Sequence, residues 1–133
     1  MTGASPVWQG ISDDISYIGE YATMKSLGHD NGDWRFEEHR KTWITEDDIK
    51  EIASYGLNTV RVPVGYWIAG FDNTGGHDWE VYAPGGINYL DKLIKEWAVT
   101  HNIAVLISIH GAKGSQSGSD NTAPTERDHS YWS

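Results

Sequence analysis

Two side chains stand where an apolar strand has little room for them. In "TVRVPV" (59–64), Arg61 puts a guanidinium among β-branched residues. Burying that group half or fully is expensive unless a carboxylate pairs with it. Two roles fit: a strand arginine reaching solvent or a structural ion pair, or an interior arginine that orients and electrostatically supports a catalytic carboxylate. In "IAVLISIH" (103–110), His110 closes an apolar run. It is either a satisfied structural residue or a ligand-facing one, because parallel α/β folds bind ligands at the carboxyl ends of their strands. The loop that follows carries Gly111, Gly114 and Gly118, which let it turn back toward the strand mouth. It closes on Asp120 and Asn121, which suit a plain turn as well as hydrogen bonds to sugar hydroxyls. Tyr66 and Trp67, just past the first strand, could stack on a sugar face or simply pack. The loop is no phosphate cradle, because the order G-x-x-x-x-G-K-[ST] is absent. No second histidine lies at ligand spacing from His110, so a metal site is not expected.

The elements that must position these groups follow an α/β grammar. "TEDDIKEIASYG" offers Thr45 as N-cap, three acids in the first turn and Ile49, Ile52 and Ala53 at helical spacing, with Gly56 placed to end the helix. A helix over about 45–55 then gives way to a strand over about 57–64, nearly all apolar, as for a strand covered on both faces. Pro63 sits awkwardly in it, since proline cannot donate to a ladder, but near a carboxyl end the chain is already leaving the sheet. A second helix, over about 86–101, places Leu90, Leu93, Ile94, Trp97 and Ala98 on one stripe. A second strand over about 103–110 follows. Helix, short break, strand, long loop, helix, break, strand implies parallel strands joined by right-handed crossovers. The loop between Tyr66 and Gly86 is long enough to suggest a functional loop. Upstream, residues 1–43 read as irregular with one short helix around Glu20–Leu27, and "GHDNGDW" (28–34) reads as a turn cluster.

Composition narrows the partners. The chain has 133 residues, enough for one domain with a sizeable core, and carries 7 Trp and 7 Tyr. Its net charge of −9 argues against nucleic acid or an anionic membrane as partner, because neutralising phosphates needs clustered Lys and Arg. With no cysteine, disulfides, zinc-thiolate sites and thiol nucleophiles drop out. No apolar run approaches the ~20 residues of a membrane span. "MTGASPVWQG" shows no signal peptide, and no Asn-x-Ser/Thr acceptor occurs.

"WITEDDIKEIASYGLNTVRVPVGYW" (43–67) followed by "SIHGAKGSQSGSDN" (108–121) closely resembles the exo-1,3-β-glucanase group of glycoside hydrolase family 5. Those proteins show W-I-T-E-x-D opening a helix, a strand reading N-x-V-R-[IV]-P-[IV]-G-Y-W, and a strand ending in H-G-A-x-G-S-Q-x-G-x-D-N. The resemblance covers roughly residues 40–121, with "GEYATMKSLG" (19–28) similar more loosely. It implies a (β/α)8 TIM barrel that hydrolyses β-1,3-glucan with retention, without cofactor, outside the cell or in the cell wall. It implies Arg61 as the arginine beside the nucleophile and His110 as a histidine lining the subsite of the cleaved sugar. Asp120 and Asn121 would contact sugar hydroxyls, with Tyr66 and Trp67 near the sugar path. "GAKGS" stands where "GAPGS" is commoner.

Such barrels need about 250 residues, so a partial barrel is expected. It would hold about the second and third strands and lack the first strand and strands four to eight. Retaining hydrolysis uses two carboxyl groups about 5–5.5 Å apart. None of the eight glutamates (Glu20, Glu37, Glu38, Glu46, Glu51, Glu80, Glu96, Glu126) falls at the end of a predicted strand. No catalytic residue is therefore expected in the chain, Arg61 and His110 being supports. The alternatives are a non-catalytic glucan-binding module derived from a truncated barrel and an unrelated doubly wound α/β binding protein. Oligomeric state, glucan linkage and exo or endo action stay open.

Overall fold

The structure, a computed structural model, describes residues 6–70, 78–112 and 115–117. The short helix expected around Glu20–Leu27 is present, but the chain around it is helical too, which corrects the expectation of irregular chain with a turn at 28–34. After a 3₁₀ turn at Pro6–Trp8 come α1 (Asp13–Ser16), α2 (Glu20–Leu27) and α3 (His29–Thr42). Only Gly28, at φ +68°, breaks the path between α2 and α3. The residues read as a turn, Asp30 to Asp33, form the first turns of α3 because tertiary packing overrides their weak propensity. Gly32 is buried there, and a Cβ on it would collide with the sulfur of Met24. A larger residue there would force the Met24 side chain to move. Val7, Met24, Phe36 and Ala83 form the core on this side, with Trp8 and Val81 packed against it.

The second half follows the expected grammar. α4 (Glu46–Ser54) starts at Thr45, whose backbone N–H and hydroxyl both donate to Asp48 Oδ2, at 2.7 and 2.9 Å. The Thr45 N–H bond, then the hydroxyl bond, hold the Asp48 carboxyl below its ordinary value. Gly56, at φ +79°, ends the helix. β1 (Thr59–Gly65) leads into a 3₁₀ turn at Tyr66–Ala69, and a second such turn spans Asp78–Val81. One long helix follows as α5 (Gly86–Lys92), a π-turn at Leu93–Trp97, and α6 (Ala98–His101). Asn102, left-handed at φ 55°, stops it and feeds β2 (Ala104–Gly111).

β1 and β2 pair in parallel, with Thr59 opposite Ala104 and Arg61 opposite Leu106. Val60, Val62 and Val105 pack on Ile49, Leu93, Ala98 and Ile103. That contact faces α4 and the long helix, so burial along β1 alternates instead of being complete. Here the expectation of strands covered on both faces fails among the described residues. Leu106, Ile107 and Ile109 are 57%, 45% and 71% exposed.

His29 ties α3 to the turn before α5. Its Nδ1 lies 2.8 Å from Asp33 Oδ1 and its Nε2 lies 2.7 Å from the Glu80 carbonyl oxygen. A carboxylate and a carbonyl offer no protons, so the ring satisfies both only as the imidazolium. The Asp33 hydrogen bond, then the Glu80 one, raise its pKa above the ordinary 6.5, with Asp33 and Asp30 adding charge attraction.

Two outcomes follow from these contacts. A raised folded pKa gives stability that is whole below the unfolded value and fades as pH rises through the folded one. His29→Ala is therefore expected to lower the urea midpoint more at about pH 5.5 than at about pH 8.5. Ile49→Ala, at a position 2% exposed, is expected to cost about 2–5 kcal/mol in urea unfolding. Ile109→Ala should stay within about 0.5 kcal/mol.

Candidate functional site

Arg61, the third residue of β1, reaches along the sheet to His110 near the carboxyl end of β2. Arg61 Nη2 donates to Ser108 Oγ at 3.0 Å and lies 3.3 Å from His110 Nδ1. Strand alternation explains the meeting: Ser108 and His110 are two apart on β2, and Pro63, two beyond Arg61, pairs with Ser108. The ladder then slips, from Val64 opposite Ile109 to Gly65 opposite Gly111. His110 is thus the extra residue of a β-bulge, a device that re-aims a side chain at a strand end. A guanidinium can only donate, so His110 Nδ1 accepts and the ring proton resides on Nε2. That nitrogen presents an N–H.

Arg61 is exposed, contrary to the burial expected for it, because its sheet face has no cover among the described residues. No carboxylate lies within ion-pair distance of it among those residues. Its partners Ser108 and His110 leave the guanidinium facing the open side.

The Gln116 side chain ties back to the end of β2. Gln116 Nε2 donates to the His110 carbonyl oxygen, and Gln116 Oε1 accepts from the Ala112 N–H at 2.9 Å. The amide completes the strand's hydrogen bonding where the ladder stops. Ser115 is buried in a left-handed conformation, φ 62°, and its N–H reaches Ala112 O at 2.9 Å. Asp120 and Asn121 lie outside the described residues.

Tyr66 and Trp67 enter an aromatic cluster instead of standing free. Trp67 stacks on Tyr82 with centroids 3.8 Å apart and planes 7° from parallel. Tyr66 meets both rings edge-on, at 5.4 and 6.3 Å. On the indole's other face lies Gly65, where an added Cβ would overlap three atoms of the six-membered ring. Both faces of Trp67 are therefore covered, and only its edge is left to meet a ligand. A groove of ≈ 1190 Å³ passes Trp67, Arg61 and His110 and reaches Glu20 and Arg40. Burial pushes the Glu20 carboxyl above the usual range, against the pull of Arg40, the Ala83 N–H and the Trp67 indole.

Three contributors escaped the sequence reading. Ser108 could have been found by stepping two residues back from His110. Gln116 stood inside a quoted motif with no local feature to mark it as a clamp. Tyr82 is 15 residues beyond Trp67 within the long loop, and no periodicity connects them. Among the described residues no cluster of three His, Asp or Glu could hold a metal, and no helix is long and apolar enough to cross a membrane.

No family profile matches the chain. Individual proteins do. Glucan 1,3-beta-glucosidase of Blumeria graminis is 42% identical over 109 residues, 81% of this chain and 24% of that protein. Glucan 1,3-beta-glucosidase of Schwanniomyces occidentalis is 41% identical over 105 residues, 79% of this chain and 23% of that one. A probable glucan endo-1,6-beta-glucosidase B of Aspergillus flavus is 44% identical over 97 residues, 73% of this chain and 24% of the other. In three dimensions, a rutinosidase from Aspergillus niger superposes with a TM-score of 0.74 at 23% identity, over 96% of this chain and 34% of that structure, a likeness of fold. The chain spans about a quarter of the length of the curated relatives it matches. Through most of its own length it is similar to glucan 1,3-beta-glucosidases and to probable glucan endo-1,6-beta-glucosidases, and it has a fold like that of about a third of a rutinosidase.

Proposed function

We propose that this chain is the part of a β-glucan-cleaving (β/α)8 barrel that holds its second and third strands, in an extracellular or cell-wall enzyme. The observation that carries the reading is the Arg61–Ser108–His110 contact between two parallel strands, in which Arg61 reaches toward the carboxyl end of β2, the end at which barrel enzymes hold their chemistry. The names of the curated relatives support a glucan as substrate. The preferred linkage is β-1,3.

In this reading the chain supplies one wall of the sugar site. Hydrolysis with retention needs a nucleophilic carboxylate and an acid/base carboxyl. Among the described residues no glutamate lies on β1 or β2, so both come from other strands of the barrel. Arg61 lies beside the nucleophile and keeps it ionised by charge attraction. His110, its Nδ1 engaged by Arg61, offers Nε2–H to a sugar hydroxyl and holds the ring in register for attack. Asp120 and Asn121 bond further hydroxyls, and no cofactor takes part. A glucan-binding module without catalysis is the second reading, favoured by the lack of a carboxylate beside Arg61 among the described residues.

Incubated with laminarin, the 133-residue chain is expected to release no sugar, whereas a form extended through the strands carrying the two carboxyls hydrolyses it. Release by the short chain would refute the assignment of the carboxylates. In the extended enzyme His110→Ala should lower kcat/KM by about 10²-fold, and Arg61→Lys should not preserve activity because a lysine cannot reproduce the planar fork. Faster turnover of a β-1,6-glucan than of laminarin would overturn the linkage. If the short chain instead binds laminarin at millimolar sugar, with binding lost in Asp120→Ala, the module reading stands.

A further inference from the structure

We infer that Glu20 is a positioning residue for the mouth of β1: its carboxylate fixes the Trp67–Tyr82 stack against which Gly65 and Tyr66 are set. The functional meaning of that mouth rests on the sugar-site reading above, but the positioning itself stands on contacts in the structure.

Glu20 opens α2, far in sequence from the strand ends. Its Oε1 accepts the Ala83 N–H at 3.2 Å and lies 4.0 Å from Arg40 Nη2, and the Trp67 side chain is close enough to favour its ionised form. Arg40 completes the arrangement from α3, donating to Ala83 O at 3.0 Å and to Pro84 O at 2.6 Å. Both backbone groups of Ala83 are thus satisfied by the two side chains, as a neighbouring strand would satisfy them. The pair is well shielded, with side chains 21% exposed for Glu20 and 18% for Arg40.

Ala83 follows Tyr82, and Tyr82 is pressed flat on Trp67. Holding Ala83 therefore fixes one side of the stack, with the Glu20 carboxylate close to the indole. Gly65 blocks the remaining face, so the ring has one place to be. Tyr66, edge-on to both rings, inherits its orientation from them. None of these contacts uses Glu20 as an acid or nucleophile, and Arg40 is the charged group facing it.

The test uses the 133-residue chain and two variants. In the wild type, the Trp67 indole N–H resonance, assigned through Trp67→Phe, should move as Glu20 titrates between about pH 4 and 8. Glu20→Gln, whose amide oxygen still accepts, should keep the wild-type near-ultraviolet circular dichroism of the stack and abolish that titration. Glu20→Ala should lose about half or more of the aromatic signal while the methyl resonances of Ile49 and Leu93 stay in place. An Ala variant with those methyls, the aromatic signal and the indole resonance all unchanged overturns the inference. Should Glu20→Ala fail to fold, an indole resonance that stays still across the wild-type titration overturns it equally. Laminaritriose binding is measured separately. A titrating indole with no sugar binding by the short chain supports the role of Glu20 and counts against the glucan-binding module alone.

Discussion

The parallel pairing of β1 with β2 is the constraint from which the rest of the arrangement follows. Parallel strands cannot be joined by a tight turn, so the chain between them must cross over, and it does so through the long helix that buries Leu93 and Ala98 under Val60, Val62 and Val105. That crossover also places both carboxyl ends on one side. Arg61 and His110 are 49 residues apart in sequence and in contact only because the two strands run the same way in one register. An antiparallel pair would carry the two groups to opposite ends of the sheet.

Two cores of different kinds support this pairing. One is the apolar packing beneath the sheet, which needs only residues of suitable size and spacing. The other gathers Val7, Met24, Phe36 and Ala83 around the helical amino-terminal third. It is completed by polar contacts that cross between elements: His29 to Glu80, and Glu20 and Arg40 to Ala83. The polar ties hold chain of little regular structure, because a loop without a ladder must satisfy its N–H and C=O groups with side chains.

This division explains what the amino-acid sequence made legible. α4, the long helix and both strands declare themselves by periodicity, and the cap at Thr45 declares itself by residue type. Arg61 and His110 stand out because each breaks an apolar pattern. α3 stayed hidden, since Asn31, Gly32 and Asp33 are turn formers and the helix they enter packs closely on Met24 at Gly32. The bulge at His110, the Gln116 clamp and the Trp67–Tyr82 stack depend on register and long-range contact, which no local pattern encodes. Trp67 shows the limit plainly. As a residue beside a strand end it could equally have faced ligand or packed, and the rings around it leave it an edge.

The Gly65–Trp67–Tyr82 sandwich also bears on how such a sequence can change. A ring held between a backbone and a second ring leaves no slack on either side. Enlarging residue 65 would require residue 67 to shrink or swing away, and either change would strip Tyr82 of the surface it covers. The three positions are therefore bound to vary together or not at all. In a set of related sequences they should behave as a single inherited unit, a glycine surviving where only the indole two residues later explains it.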